Sequence, residues 1–145
     1  MSKKPKGCIT VEKAKMLERN YVEKIEKPLE KVLGCEECRE FWWSMEDLED
    51  YIKYAKKKAK KKGYKNLGMR FYLGKYGKHH DEHESDEDHD HEHVTLFMVP
   101  TGVHSTKKLT PITKTVGAKA AKQDENITEV PPYNRGGGGK VPYDG

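Results

Sequence analysis

Residues 68–76 read Gly-Met-Arg-Phe-Tyr-Leu-Gly-Lys-Tyr, and residues 94–100 read Val-Thr-Leu-Phe-Met-Val-Pro. Apolar side chains occupy alternate positions in both stretches, and glycine or proline bounds each of them. Alternation of this kind, rich in β-branched and aromatic residues, predicts half-buried β-strands. We therefore expect the two stretches to pair as a β-hairpin. Two strands alone are marginally stable, so helices must cover one face or a partner chain must add strands.

The segment between the two strands has the most biased composition in the chain. Residues 79–93 contain six of the seven histidines, eight carboxylates and a single serine. Imidazole and carboxylate groups together suit zinc, nickel, cobalt or copper at neutral pH. We expect this hairpin loop, residues 77–93, to bind a divalent transition metal of the zinc or nickel type. The candidate metal ligands are His79, His80, His83, His89, His91, His93, Asp88 and Asp90.

Other interpretations of the loop stay open. It also has the composition of a solvated, low-complexity insertion whose charges keep the protein in solution. Many subsets of three or four ligands are available, which favours several exchanging ions over one rigid site. A catalytic metal needs ligands on rigid elements, and the loop offers none. A calcium site of the helix-loop-helix type is not expected, because the loop has neither the glycine nor the acid spacing of that motif.

Two amphipathic helices are predicted before the hairpin. From Thr10, a candidate N-cap, apolar residues recur at three- and four-residue steps until Gly34 ends the helix. Pro28 is expected to kink this helix or to split off its last turn to Leu33, because proline removes a backbone donor and crowds the preceding turn. A second helix follows Ser44, its candidate N-cap, and stops at Gly63. Its acidic first turn and lysine-rich last turn match the helix dipole.

The predicted fold class is therefore α+β, with two helices packed on a β-hairpin in the order α-α-β-β. Residues 1–9 form a basic N-terminal lead, and residues 10–101 form the small folded domain. Threonine, lysine, proline and glycine dominate after it, so residues 102–145 are predicted to be a flexible, disordered tail. The end of the tail, with Pro131-Pro132-Tyr133-Asn134 and Val141-Pro142-Tyr143, looks like an extended motif that a partner protein recognises, although inert tails also contain proline and tyrosine.

Composition sets the remaining expectations. Charged residues make up 36% of the 145 residues and hydrophobic ones 34%, which leaves a small core. The net charge is +4, although the acidic loop offsets a much more basic remainder. No apolar run is long enough to cross a membrane, and no secretory signal is visible. An odd number of cysteines provides no disulfide framework, so we expect a cytoplasmic protein with free thiols.

Cys35 and Cys38 have the two-residue spacing of zinc chelates and redox pairs. A structural zinc site needs two more ligands, and a thioredoxin-like site needs a βαβ context, which the sequence does not show. We interpret both residues as ordinary thiols at a helix junction. A zinc ion held by both cysteines and two loop histidines is the alternative.

Two further functions have less support. Seven lysines between Lys53 and Lys62, close to three tyrosines, suit phosphate contact and base stacking. No recognised nucleic-acid module is visible, so a solvated helix end is the favoured interpretation and nucleic acid is not the expected partner. The sequence also lacks a nucleophile-base-acid arrangement and a phosphate-binding glycine loop, so we do not expect an enzyme.

Three pieces of the chain resemble a family of small, uncharacterised bacterial proteins: Asp50-Tyr51-Ile52, the whole stretch 68–76, and Thr95-Leu96-Phe97-Met98-Val99-Pro100-Thr101. Those proteins share a helix, a Gly-apolar-Arg-aromatic-Tyr strand, a variable loop and a strand ending in Val-Pro-Thr. The resemblance covers about residues 44–101. It implies that the histidine-rich stretch lies where such proteins vary. It also implies a common binding surface that includes Arg70, Tyr72 and Thr101.

The function expected from the sequence is that of a non-enzymatic protein whose hairpin loop binds metal ions. The alternative is a protein-interaction or assembly module that contacts a partner protein, or a second copy of the chain, through the hairpin edge and the Pro/Tyr tail. Nucleic-acid binding through the lysine-rich helix is a third hypothesis.

Overall fold

The computed structural model describes residues 2–76, 94–105, 124–134, 137–140 and 143. Within these residues the chain combines helices with antiparallel sheets, which confirms the α+β class. The chain forms two compact units. One consists of Met1–Phe41 with Gly138–Gly145, and the other is Trp42–Gly137. The first predicted helix and the hairpin belong to different units, so their packing on one another stays a prediction.

The first unit is built on one long helical run with three parts. Helix α1 (Val11–Tyr21) is followed by a π-helical turn (Val22–Glu26) and by helix α2 (Lys27–Leu33). Thr10 caps the start, because its side-chain oxygen accepts a 3.2 Å hydrogen bond from the Lys13 N–H. Gly34 ends the run with φ of +72°, the left-handed conformation that glycine adopts without a steric penalty. Both predicted helix ends are confirmed.

The π-helical turn explains how the helix accommodates Pro28. In a regular α-helix the N–H of residue 28 would bond to the carbonyl of Lys24, and proline has no N–H. Instead, the Lys27 N–H bonds to the carbonyl of Val22, five residues back, which widens the turn just before the proline ring. The helical run therefore changes character just before Pro28, through a π turn, and α2 continues to Leu33.

Two short strands form a separate two-stranded sheet. Strand β1 (Glu40–Trp42) and strand β5 (Gly137–Gly139) form a two-stranded sheet. In the first unit, the Arg39 N–H donates a 2.7 Å hydrogen bond to the carbonyl of Gly139. A Cβ at Gly138 would lie 2.9 Å from the Cys38 sulfur, so a larger residue there would force the Cys38 side chain to shift. The sequence contains no signal for this sheet, since three glycines carry no alternating pattern.

Helix α3 (Met45–Lys61) is the only long helix described in the second unit. The hydroxyl of Ser44 accepts a 3.0 Å hydrogen bond from the Asp47 N–H and caps it. Glu46 and Asp47 lie in its first turn, and Lys58, Lys60 and Lys61 lie in its last. Gly63 follows with φ of +85°. These features confirm the predicted second helix and its ends.

The second unit also contains a three-stranded antiparallel sheet. Its strands are β2 (Tyr64–Lys75), β3 (Val94–His104) and β4 (Glu125–Asn126), in the order β2-β3-β4. The predicted hairpin is thus confirmed, and both strands run longer than the alternating pattern indicated. A register shift between Lys65 and Gly68 bends β2, and Asn66 in that bulge has φ of +53°.

The sheet has two different faces. Directly opposed residues in an antiparallel pair lie on one face, and Met69 pairs with Pro100 while Arg70 pairs with Val99. The face with Met69 packs on α3 through Tyr51, Ala55 and Ala59, which are at most 8% exposed. The face with Arg70 points away from that helix. Glu125–Asn126 extends the sheet along β3.

Part of the region predicted to be a flexible tail is packed into this core. Ile127 and Val130 are fully buried, and Tyr133 stacks on Tyr51 with ring centroids 4.7 Å apart. Backbone hydrogen bonds of 2.9 and 3.0 Å join Tyr133 to Met98 in both directions. Of the predicted tail, the structure describes residues 102–105, 124–134, 137–140 and 143: β3 continues to His104, and residues 124–134 add to the sheet and the core. The isolated apolar residues of this region carried no periodic signal.

Candidate functional site

The predicted metal ligands lie outside the described residues. His79, His80, His83, Asp88, His89, Asp90, His91 and His93 all belong to the segment 77–93. The structure does describe the residues on either side of that segment. Lys75 lies directly opposite Val94, so β2 and β3 hold the two ends of the connecting segment side by side.

A small polar cluster stands next to this point. The Asn134 amide donates a 3.0 Å hydrogen bond to the Tyr76 hydroxyl, and its carbonyl oxygen accepts one of 3.0 Å from Thr95. Thr95 also lies 3.4 Å from the Tyr76 hydroxyl. Three residues from separate stretches of the chain therefore contact one another beside the paired ends of β2 and β3.

Within the described ranges, no group of three or more His, Cys, Asp or Glu side chains is arranged to hold a metal ion. Cys35 and Cys38 are half-buried thiols that form no disulfide. They follow α2 and precede β1, at the helix junction that the sequence indicated.

The predicted binding surface is assembled in part. Arg70 and Tyr72 lie two residues apart on the sheet face that points away from α3, and Asn126 of β4 joins them. The Arg70 guanidinium donates hydrogen bonds of 2.5 Å to the Asn126 side-chain oxygen and 3.2 Å to the Asp124 carbonyl. The Asn126 amide donates a 2.7 Å hydrogen bond to the Tyr72 hydroxyl. Sequence reasoning missed Asn126, which falls in the region interpreted as tail.

This network changes the acidity of Tyr72. The hydrogen bond from Asn126 lowers the pKa of Tyr72 below its usual value, and Arg70 acts in the same direction against the opposing effect of partial burial. The ring of Tyr72 stacks on Phe97 with centroids 5.3 Å apart. The arrangement fixes the Tyr72 side chain and stabilises its anionic form.

Thr101 does not join this surface as an accessible residue. It is only 4% exposed, and it pairs with Gly68 on one side and Asn126 on the other. A Cβ at Gly68 would lie 2.8 Å from the Thr101 hydroxyl oxygen, so a larger residue there would force the Thr101 side chain to shift. Thr101 therefore lies on the central strand of the sheet, buried between its neighbours. The sequence motif that contains Thr101 does not show this burial.

The opposite face has an apolar groove for which the sequence contains no signal. It lies between α3 and β2 and has a volume of about 190 Å³. Beyond it on the same face of β2, Phe71 and Leu73 are 56% and 74% exposed. The alternating pattern predicted that these residues would be covered, but α3 reaches only part of the strand. The lining of the groove includes Ile52, Ala55, Lys56, Leu67, Met69 and Pro100.

The lysine-rich end of α3 is solvent-exposed, as the favoured interpretation of the sequence expected. Lys58 lies over the Tyr54 ring, 5.2 Å from its centroid. Lys56 differs from the others because it lines the apolar groove. In the part of the chain that the structure describes, Lys56 and Lys60 form no ion pair.

The first unit contains a charged cluster that sequence reasoning also missed. Glu26, at the end of the π-helical turn, is 2% exposed and lies 2.7 Å from the Arg39 guanidinium and 3.3 Å from the Lys140 ammonium. Arg39 also reaches Glu18 at 3.4 Å, and Lys140 forms an ion pair with Glu30. A buried carboxylate requires such partners, because desolvating an unpaired charge is costly.

The cluster holds chain segments that are distant in sequence. The hydrogen bond from Lys140 lowers the pKa of Glu30, and the Glu37 backbone N–H at 3.0 Å acts in the same direction. Glu30 in turn raises the pKa of Lys140. Both side chains are thereby kept charged, and Lys140 anchors the segment after the glycine run to α2. We assign this cluster a structural role within the first unit.

Comparison with protein-family models, with curated proteins and with solved structures found no match for this chain. The resemblance of its strand motifs to a bacterial family therefore stays a prediction. Among the described helices, none combines the length and the apolar character needed to cross a membrane.

Proposed function

We propose that this is a non-enzymatic binding protein whose histidine- and acid-rich segment, residues 79–93, binds divalent transition metal of the zinc or nickel type. The observation that carries the proposal is the register of the hairpin, in which Lys75 lies opposite Val94. The segment with six histidines and eight carboxylates is thus tethered at both ends.

The tethering matters for affinity. Bringing several ligands of a chain around one ion costs conformational entropy, and closing the ends of the segment in advance removes part of that cost. Neutral imidazole and carboxylate oxygen are both good zinc ligands. Zinc and nickel are therefore the ions expected to bind, at a site formed by exchanging subsets of the eight candidate ligands.

Isothermal titration with zinc and nickel tests this proposal on the intact protein. The matched variant replaces residues 79–93 by a Gly/Ser segment of equal length and keeps both strands. We expect binding that is lost in this variant and retained in His104→Gln, which changes the one histidine of the chain outside the segment. A Cys35→Ser/Cys38→Ser variant separates this site from a mixed cysteine-histidine site. Equal binding by the intact and replaced proteins would refute the proposal.

A second candidate function is protein interaction through the hairpin edge, and the exposure of Phe71 and Leu73 favours it. The Pro/Tyr motif at 131–134 contributes less to this candidate than the sequence suggested, because Tyr133 is stacked inside its own unit. Size-exclusion chromatography with light scattering tests for self-association, and Leu73→Lys is the variant expected to alter any interaction at this edge.

A further inference from the structure

The first unit is assembled from two separate pieces of the chain, Met1–Phe41 and Gly138–Gly145, with the whole of the other unit between them. We name the described residues of the second piece, 138–140 and 143, the docked segment. In the sequence, about a hundred residues separate this segment from the helices that it contacts. Only contacts between residues far apart in the sequence therefore hold it in the first unit.

The docked segment is bound largely through its backbone. The Arg39 N–H donates a 2.7 Å hydrogen bond to the Gly139 carbonyl, and the Tyr143 N–H donates one of 3.1 Å to the Glu18 carboxylate. A sheet of two strands with three residues each is marginally stable by itself, and the glycines of β5 have no side chains to bury. The binding of this segment therefore depends on the side chain that follows the strand.

That side chain is Lys140. It forms an ion pair with Glu30 and lies 3.3 Å from Glu26, which is 2% exposed. We name Glu18, Glu26 and Glu30 the acidic cradle. Within the described residues the Oε2 oxygen of Glu26 accepts no hydrogen bond, and Arg39 and Lys140 both contact its Oε1 oxygen. Since a buried carboxylate needs compensating charge, the cradle favours an occupant that brings a cation to Glu26 and Glu30.

Every copy of the chain carries a segment that meets this requirement. The glycines that pair with β1 and the lysine that follows them are the same in a second copy, so the contacts with the cradle would be the same within one chain and between two. Exchange of an identical element between protomers is a low-cost route to a dimer. The two arrangements differ in the entropy of closing the chain, so their balance depends on protein concentration.

We propose that the acidic cradle also binds the docked segment of a second copy, so that two chains exchange these segments and each completes the first unit of the other. The second copy then supplies Lys140 to Glu26 and Glu30. This inference goes beyond both functions proposed above, because it uses neither the histidine-rich segment nor the hairpin edge.

Mixing two charge-reversed full-length chains tests the proposal. Glu30→Lys places like charges together in one chain, and Lys140→Glu does so in another. After mixing, exchange pairs the unchanged Lys140 of the first chain with the unchanged Glu30 of the second, and the two introduced charges with each other. Size-exclusion chromatography with light scattering should show a heterodimer at concentrations at least roughly tenfold below those at which either variant dimerises alone, because like charges in contact are unfavourable.

Three controls accompany the mixture, and circular dichroism checks the fold of each variant. The double variant Glu30→Lys/Lys140→Glu restores the pairing within one chain and should behave like the unchanged protein. Glu23→Lys mixed with Lys27→Glu is the matched control, because this exposed pair lies four residues apart in one helical run and exchange cannot repair it. A chelator and Leu73→Lys, added to both mixed variants, exclude dimers formed through metal or through the hairpin edge.

A labelled peptide with the sequence of residues 137–145 provides a second measurement, for which charge reversal is not needed. Fluorescence anisotropy should show that this peptide binds full-length Lys140→Gln roughly tenfold more tightly than the unchanged protein, whose own segment competes for the cradle. The control peptide has glutamate in place of its lysine and should not bind.

Three results would overturn the exchange. Folded variants that stay monomeric when mixed would show that the segment is a fixed part of its own chain, and so would equal binding of the two peptides. A heterodimer that is lost with Leu73→Lys would assign the association to the hairpin edge. Zinc and nickel titration should give the same result in all of these variants, so failure of the exchange and failure of the metal-binding proposal are distinguishable.

Discussion

The side-chain nitrogen of Asn126 lies 2.7 Å from the hydroxyl oxygen of Tyr72, although the two residues are 54 positions apart in the sequence. Through this contact a residue of β4 hydrogen-bonds to a side chain of β2. Asn126 thus belongs to the predicted surface of Arg70 and Tyr72, although the sequence around Asn126 contains no motif.

Replacing Asn126 by alanine should raise the pKa of Tyr72, because the hydrogen bond that favours the phenolate is lost. Ultraviolet titration of tyrosine, with Tyr72→Phe to isolate the signal, measures this change. The lowered pKa in the folded state also means that Tyr72 adds stability above the pKa of an unfolded tyrosine, and that this contribution disappears as the pH falls through the folded value. As a control, Asn134→Ala removes a hydrogen bond to Tyr76 and should leave the pKa of Tyr72 unchanged.

The stability of the first unit should decrease in acid partly through Glu30. Its pKa is lowered in the folded state by Lys140, so its contribution is fully present above the unfolded pKa of 4.5 and is lost as the pH falls through the folded value. Unfolding measured between pH 3 and 7 should show a weaker pH dependence in Glu30→Gln. Glu12→Gln, at an exposed position of α1, serves as the control. If the free energy of unfolding depended on pH in the same way in both variants, Glu30 would not be the group responsible.

Ile127→Ala should destabilise the protein by about 2–5 kcal/mol, because the side chain is fully buried and its removal leaves a cavity in the core. Chemical denaturation followed by tryptophan fluorescence measures the effect. Thr128→Ala, at the exposed neighbouring position, should change the free energy of unfolding by less than about 0.5 kcal/mol. An unaffected Ile127→Ala variant would show that residues 124–134 do not pack on the sheet in solution.

Gly34→Ala should cost about 1 kcal/mol, because an alanine at φ of +72° is strained even though open space surrounds the position. Gly7→Ala is the matched control, since Gly7 also has open space and φ is not positive there. Thermal unfolding of both variants measures the difference. Equal melting temperatures would mean that the helix ends differently from the described C-cap.

Local chemistry made much of the fold predictable. Thr10 and Ser44 accept hydrogen bonds from N–H groups three residues later, and Gly34 and Gly63 provide positive φ, so both helices begin and end where short-range rules place them. The alternation in residues 68–76 and 94–100 was enough to predict the hairpin. The sequence also shows the composition of the loop between the strands. It does not show which loop residues bind one ion together, because six histidines and eight carboxylates allow many combinations.

By itself, therefore, the sequence determined what depends on neighbours within a few residues: the helices, their caps, the paired strands and the bias of the segment between them. Only the tertiary structure decided which residues meet across long separations. Asn126 joins Arg70 to Tyr72, Ile127 fills the core, Glu26 is buried against Arg39 and Lys140, and Thr101 is central rather than accessible. These contacts depend on chain paths that no local periodicity encodes. The same limit explains why Phe71 and Leu73, with a core-like pattern, are exposed: the extent of α3 over the sheet determines which apolar residues it covers.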